Sequence, residues 1–294
     1  MMTMATKTLL ACFGHPDDES FGMGGTLSLY AAKGYRVELI CATRGEAGEI
    51  SDPLLATHEN LGDVRENELR CAARVMGIES PIFLGYRDSG MMGTADNAHP
   101  QAFLRADRNQ AIGQVTRHIR ELRPDVVVTF EPNGGYGHPD HITIHQVTLA
   151  AILAAANPIW YPEQIAEGLA PYQVKKLYYT ALPKRFFRAI ADKLEAAGVN
   201  LEELHGVRES GIREWGWPDE MITTAIDVSS VLDKKSESFW CHRTQLNPDG
   251  PFARLLRLGG DIWREPMSTE YYTRVLPAVV PGEPIESDLF AGLE

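Results

Sequence analysis

The stretch DVVVTFEP at 125–132 constrains this chain most. Its β-branched residues run on without the polar alternation of a half-exposed strand, which suits a strand covered on both faces, as in a parallel sheet. Parallel strands need crossover connections, usually helical, and the preceding residues supply them repeatedly. KTLLACF at 7–13 reads as a strand, GTLSLYAAKG as a helix, YRVELICAT at 35–43 as a second strand, and VRENELRCAARVMG at 64–77 as a helix with apolar Val64, Leu69, Ala72, Ala73 and Met76. PIFLGY is a short third strand, and RNQAIGQVTRHIRELRP a helix ended by Pro124 after Arg123. This alternation predicts an α/β fold, a Rossmann-like, doubly wound, mostly parallel sheet.

Beyond about residue 155 the pattern weakens. The segment at 157–173 is irregular, KKLYYTAL reads as a further strand, and RFFRAIADKLEAAG and VLDKKSESFWCHRTQL read as amphipathic helices, while 247–294 is rich in Pro and Gly. The expected organisation is a catalytic core over 1–180 that carries the site and a smaller C-terminal α/β region over 181–294, packed over it and contributing to the substrate pocket.

Composition narrows the partners. With 28 Lys+Arg against 40 Asp+Glu the net charge is −12, and there is no Lys/Arg block to neutralise a phosphate backbone, so nucleic acid is excluded as a partner. The chain is 44% hydrophobic and 23% charged, an ordinary globular balance. The apolar run Leu9 to Phe13 is too short for a signal peptide, and no window approaches the roughly 18 apolar residues of a membrane span. The expectation is a cytoplasmic protein without a membrane partner; a homo-oligomer is compatible with it. Cys12, Cys41, Cys71 and Cys241 are scattered with no CxxC pair, which predicts neither a disulfide framework nor a Cys-rich zinc site.

In open α/β sheets ligands collect beyond the carboxyl ends of the strands, above all where strand order reverses. Two polar turns fall there. The first strand ends in Gly14-His15-Pro16-Asp17-Asp18-Glu19, and the strand at 125–132 is followed by Asn133-Gly134-Gly135-Tyr136-Gly137-His138-Pro139-Asp140-His141. If these strands are neighbours, His15, Asp18 and His141 can close on one cation, and two imidazoles with one carboxylate form a hydrolytic zinc set that also suits Fe(II), Mn(II) or Co(II). Of two adjacent carboxylates one can bind the metal while the other, Asp17, takes a proton from the attacking water. His138 is placed to protonate a leaving amine or steady an oxyanion. A helix N-cap would explain one Asp of the pair, but not the second Asp, the His and a second His-Pro-Asp-His turn.

The glycines at 22–25 invite a nucleotide reading, yet the turn where a dinucleotide fingerprint belongs holds HPDDE, whose carboxylates repel pyrophosphate; close helix packing explains them better. The loop TRGEAGEISDP at 43–53 brings Glu46 and Glu49 to the same rim, Arg65 opens a helix, and Arg87-Asp88-Ser89-Gly90 follows the third strand. Each alone reads as a solvated charge; together they are candidate substrate contacts.

GHPDDE, the TRGEAGE loop, VRENEL, RDSGM and GGYGHPDH together resemble the LmbE/PIG-L family of zinc-dependent N-acetylglucosamine deacetylases, with Gly14 where that family's motif usually has Ala. KKLYYTALPKRF, HRTQLNPDG and ESDLFAGL extend the likeness over nearly the whole chain, toward the branch with the mycothiol deacetylase and the mycothiol S-conjugate amidase. The resemblance implies zinc on His15, Asp18 and His141, Asp17 as general base, His138 as the stabilising or protonating partner, Tyr136 as a mobile group at the carbonyl oxygen, and Glu49, Arg65 and Asp88 as sugar contacts. It also implies the activity: removal of an acetyl group from a small N-acetylglucosaminyl substrate or, as the alternative, amidase cleavage of thiol-sugar S-conjugates by the same residues. A non-catalytic sugar- or nucleotide-binding module is the rival from another class; it has no need of Asp17.

Overall fold

The structure is a computed structural model and describes residues 7–204 and 211–293. Seven strands form one sheet: β1 (Thr8–Phe13), β2 (Arg36–Thr43), β3 (Ile82–Tyr86), β4 (Val126–Phe130), β5 (Lys176–Thr180), β6 (Thr224–Asp227) and β7 (Thr269–Leu276), in the order β3-β2-β1-β4-β5-β7-β6. The first five in that order pair in parallel, whereas β7 runs antiparallel to both β5 and β6. The chain leaves β1 toward β2 on one side and returns to β4 on the other, so β1 and β4 flank the switch point, in the register Leu9↔Val126, Leu10↔Val127, Ala11↔Val128.

The helices are α1 (Asp18–Ala32), α2 (Leu61–Met76), α3 (Arg108–Leu122), the short turn α4 (Gly134–Gly137), α5 (Pro139–Ala156), α6 (Pro162–Ala166), α7 (Lys184–Ala196), α8 (Leu232–Cys241), α9 (Pro251–Leu258) and α10 (Gly260–Met267). They cover both faces. Alternate residues of β1 serve two cores: Leu9, Ala11 and Phe13 pack with Met23, Leu27 and Leu69 of α1 and α2, whereas Leu10 and Cys12 pack with Val115 and Ile119 of α3 and Ile144 and Val147 of α5. Burial on both faces is the physical reason these strands read as unbroken apolar runs.

The first half follows the sequence pattern closely; the second departs from it in three places. The segment 247–294 yields α9, α10 and β7, and β7 and β6 extend the core sheet itself. The helix expected through Leu246 ends at Cys241, because His242 turns out of helical geometry (φ −85°, ψ 54°) and 242–246 runs on outside the helix. The third correction concerns the cysteines: Cys71 of α2 and Cys241 of α8 form a disulfide with Cα atoms 5.7 Å apart. The partners are 170 residues apart and meet only because their helices pack side by side, so no local spacing announces the bond. Cys12 and Cys41 are free and buried.

The glycines at 22–25 do serve packing. Met23 breaks helical geometry inside α1, and the amides of Gly25 and Thr26 donate to the Glu270 carboxylate of β7 at 2.9 and 2.7 Å. A Cβ on Gly25 would lie 2.7 Å from Val228. Where a nucleotide would need free amides, a carboxylate already sits.

Candidate active site

The two polar turns meet beyond the carboxyl ends of β1 and β4. Asp18 starts α1, and His141 lies in the first turn of α5, where Pro139 occupies the first helical position and the His138 ring caps the helix by accepting the Asp140 amide on Nδ1 at 3.1 Å. Asp18 Oδ2 accepts the amides of Gly14 and His15 at 3.1 and 2.7 Å, which folds the Gly14-His15 turn around its own carboxylate. Gly14 fits this crowding: a Cβ there would stand 3.0 Å from the His141 ring.

His15 Nδ1 lies 3.0 Å from His141 Nε2, and Asp18 reaches both rings, 3.2 Å from His141 Nε2 and 3.7 Å from His15 Nδ1. The tautomers follow from the outer partners. His141 Nδ1 faces the Gly134 carbonyl at 3.1 Å, and a carbonyl only accepts, so that nitrogen carries the proton. His15 Nε2 faces Asp140 at 3.2 Å and Asp88 at 3.4 Å, and it donates likewise. The other two nitrogens, His15 Nδ1 and His141 Nε2, face each other and Asp18. Such an arrangement is repulsive unless positive charge stands between them, and it is the arrangement by which outer-sphere bonds aim histidines at a metal. Electrostatics agrees: burial works against the charged form of His15, yet Asp88, Asp140 and Asp18 together hold its pKa well above the ordinary value. The ligand atoms of His15, His138 and His141, and of His15, Asp88, His138 and Asp140, also converge within 4.8 Å. The donor set fits a divalent cation with nitrogen and oxygen ligands.

Asp17 is not among these converging groups and pairs with Arg65 instead. It occupies the N-cap position of α1 without making a side-chain cap bond, so capping does not account for it. Its backbone is at φ 129°, ψ −29°, a strained conformation for a residue with a Cβ, and one that surrounding structure must hold. Burial raises the Asp17 carboxyl to about 6; the Arg65 guanidinium, 3.2 Å away, pulls against that rise and the Asp18 charge adds to it. Burial, followed by the neighbouring His15 and His141 rings, pushes His138 down to about 3, so its ring is neutral, with Nδ1 accepting and Nε2–H free to donate.

The remaining expected residues separate by position. Tyr136 is 54% exposed, its ring centroid 5.1 Å from that of His141. Glu49 is exposed on the loop after β2, with its backbone carbonyl bonded to Gln245. Arg65 and Asp88, by contrast, are each only 3% exposed; of the expected site residues Asp18, Tyr136 and His141 line the cavity above the site, and His15, Asp17, Glu49, Arg65, Asp88 and His138 do not. Arg65 donates to the carbonyls of Gly45 and Pro16 at 3.0 and 2.6 Å, and a Cβ on Gly45 or Gly48 would collide with its guanidinium, which explains the glycines of the TRGEAGE loop. Asp88 accepts the amide of Gly90 at 2.8 Å and backs His15. Sequence reasoning assigned no role to Asp140, which Ser89 grips through both its amide and its hydroxyl, or to Glu131, whose carboxylate takes the amides of Asn133 and Gly135 at 2.6 Å each and so shapes the loop carrying Tyr136. Asp140 lies inside the GGYGHPDH motif and Glu131 just before it, and only their partners in space distinguish them from surface charges.

A cavity of about 670 Å³ opens over Asp18 and His141 and extends to an aromatic wall of Phe21, Phe187, Trp215, Trp217 and Phe252. Trp217 is stitched to the segment after β5 by backbone bonds to Leu182 and Lys184 at 2.8 and 3.0 Å. The indole Nε1 atoms of Trp215 and Trp217 are buried without a partner among the described residues.

Comparison with known proteins places these features. The family described as PIG-L: GlcNAc-PI de-N-acetylase matches residues 10–152, the part that carries both turns. A protein of Acidothermus cellulolyticus named 1D-myo-inositol 2-acetamido-2-deoxy-alpha-D-glucopyranoside deacetylase is 41% identical over 98% of this chain and 96% of its own length, and one of the same name from Geodermatophilus obscurus is 38% identical over 98% of each. Among solved structures, the N,N'-diacetylchitobiose deacetylase of Pyrococcus horikoshii superposes with a TM-score of 0.64 at 20% identity, covering 92% of this chain and 84% of that one. GalB, the 4-carboxy-2-hydroxymuconate hydratase of Pseudomonas putida KT2440, superposes at 0.61 with 22% identity, covering 95% and 100%. A deacetylase and a hydratase on one fold show that the fold alone does not choose the reaction.

Proposed function

Since this chain belongs to the PIG-L family and is by that membership an amide-hydrolysing enzyme, we propose that it removes the acetyl group from an N-acetylglucosaminyl substrate, one carrying a cyclitol such as the relatives' names describe, with a single zinc ion on His15, Asp18 and His141. The observation that carries the reading is the pair of imidazole nitrogens facing each other across 3.0 Å beside Asp18, with a second carboxylate, Asp17, next in the chain. Bound there, zinc supplies a Lewis acid for the amide carbonyl and the attacking water.

The chain's own groups divide the remaining work. Asp17, with a pKa near 6, is ionised at neutral pH but still a useful base; it takes a proton from water as the water oxygen adds to the acetyl carbon, and returns that proton to the amine nitrogen as the C–N bond breaks, leaving a free amine and acetic acid, which releases its remaining proton to solvent as acetate. His138 is neutral and serves as a hydrogen-bond donor to the oxyanion rather than as the acid, since its pKa is pushed down to about 3. The Tyr136 hydroxyl is a second donor. Arg65 works from beneath by steadying Asp17, Asp88 by orienting His15, and Glu49 stands at the exposed rim where a sugar hydroxyl would meet it. The aromatic wall receives the part of the substrate beyond the amino sugar.

The direct test offers the purified, zinc-loaded enzyme an N-acetylglucosaminyl inositol and a thiol-sugar S-conjugate side by side and measures amine release. Faster turnover of the former supports the deacetylase reading; a preference for the conjugate makes the enzyme an S-conjugate amidase. No helix among the described residues is long and apolar enough to cross a membrane.

A further inference from the structure

The contacts behind Asp17 extend well past the turn that bears it. Its amide donates to Glu19 Oε2 at 3.0 Å, the bond best placed to hold the strained backbone at φ 129°. The other oxygen of Glu19 accepts the Ser20 hydroxyl at 2.6 Å and meets His242 Nε2 at 2.7 Å. Glu19 is 1% exposed and His242 is wholly buried, so solvent cannot take the place of either partner. The Nδ1 atom of His242 is buried with no partner among the described residues, a cost that a side chain serving only to fill space would not carry.

The segment around His242 is also fastened to α2, which carries Arg65, and to the loop after β2. The amide and hydroxyl of Thr244 donate to Glu68 of α2 at 2.8 and 2.6 Å, one turn beyond Arg65, which itself pairs with Asp17. Ser51, in the loop after β2, donates its amide to the Thr244 carbonyl at 2.9 Å, and Gln245 reaches the Glu49 carbonyl at 3.0 Å. The preceding residue, Cys241, is tied to α2 by the disulfide.

We propose that His242 is a positioning residue for Asp17: by holding Glu19 from the C-terminal strap it keeps the Asp17 backbone in its strained turn and the carboxylate aimed at the attacking water. The inference rests on the reading of Asp17 as the general base. It separates two functions that a buried histidine can have, filling the core and aiming a distant group, because only the second acts through Asp17.

The test is a double-mutant cycle on the zinc-loaded enzyme, with His242→Ala and Asp17→Asn singly and together, and with metal content and Tm measured on each. His242→Ala is expected to lower kcat by about 10- to 100-fold, the scale on which small misplacements act, with KM nearly unchanged and about one zinc retained. His242→Gln, which keeps a donor toward Glu19, is expected to restore most of the loss. In the Asp17→Asn background His242→Ala is expected to cost nothing further, since the group it aims has gone. If it costs the same factor in both backgrounds, or leaves kcat untouched in the wild type, the positioning role is wrong while Asp17 stands. If Asp17→Asn alone keeps the wild-type kcat, the base reading itself falls. Glu19→Gln, which keeps one acceptor oxygen, enters the same cycle should His242→Ala not fold.

Discussion

The two ends of the cavity are built in opposite ways. At the metal end, each turn is a contiguous stretch of a few residues at the start of a helix, and the sheet brings the two turns together at its switch point. At the aromatic end, Phe21 comes from α1, Phe187 from α7, Trp215 and Trp217 from the segment before β6, and Phe252 from α9. A compact donor set leaves little freedom, because moving one ligand by an ångström loses the ion; a wall assembled from separate segments can change one residue at a time. On the proposed function, the first end carries the reaction and the second sets which amide is brought to it.

Breaking the metal end should have the largest effect. His141→Ala removes one of the two facing nitrogens, and elemental analysis should find metal falling from about one per chain to a trace, with turnover of every substrate abolished; full metal occupancy would move the ligand assignment to the cluster of His15, Asp88, His138 and Asp140. Asp17→Asn comes next. It should keep the metal and lose about 100- to 10,000-fold in kcat, whereas loss of the metal would mean that the two adjacent aspartates have exchanged roles.

Arg65 sharpens the boundary between the two ends. Buried against Pro16 and Gly45 and 3.2 Å from Asp17, it should act through the base, so Arg65→Ala should lower kcat by about tenfold or more and lower Tm, with KM nearly constant. A raised KM for the sugar with kcat intact would restore Arg65 to the substrate contacts that the sequence suggested.

At the aromatic end, Trp217→Ala should raise KM by about tenfold for a substrate that carries a second ring, and leave hydrolysis of a short N-acetylated amino sugar unchanged. Equal losses on both would show that the wall supports the metal end rather than reading the substrate. The smallest effect is on pH: with Asp17 near 6, kcat/KM should be fully present above that value and fall as the carboxylate gains its proton, to about half at pH 6. An acid limb near pH 4 would show that Asp17 has an ordinary carboxyl and that burial does not tune it.

The legibility of the sequence follows the same division. The strands of the first half and both polar turns could be read because each rests on a local pattern: a β-branched run, a helix stop, a His and Asp in one turn; the pairing of β1 with β4 entered only as a condition, since no local pattern fixes it. Arg65 and Asp88 were readable as charges near the rim but not as buried supports, because the direction of a side chain is decided by what it packs against, here the glycines of the TRGEAGE loop and the ring of His15. The Cys71–Cys241 bond, the strap at 242–246 and the antiparallel strand β7 are all products of long-range packing, and no window of sequence contains both partners of any of them.

His15 and His141 are 126 residues apart and meet only through the pairing of β1 with β4. The unfolded chain therefore holds no version of this site, and a cation bound there is a ligand of the native state alone. By mass action its free concentration becomes one of the terms that set the folding equilibrium: at about a hundred times its dissociation constant it adds about 2.7 kcal/mol, a sizeable share of the stability of an ordinary domain. Starvation for the metal would thus deplete the folded protein as well as silence it, and a chelator would lower Tm without altering a single residue.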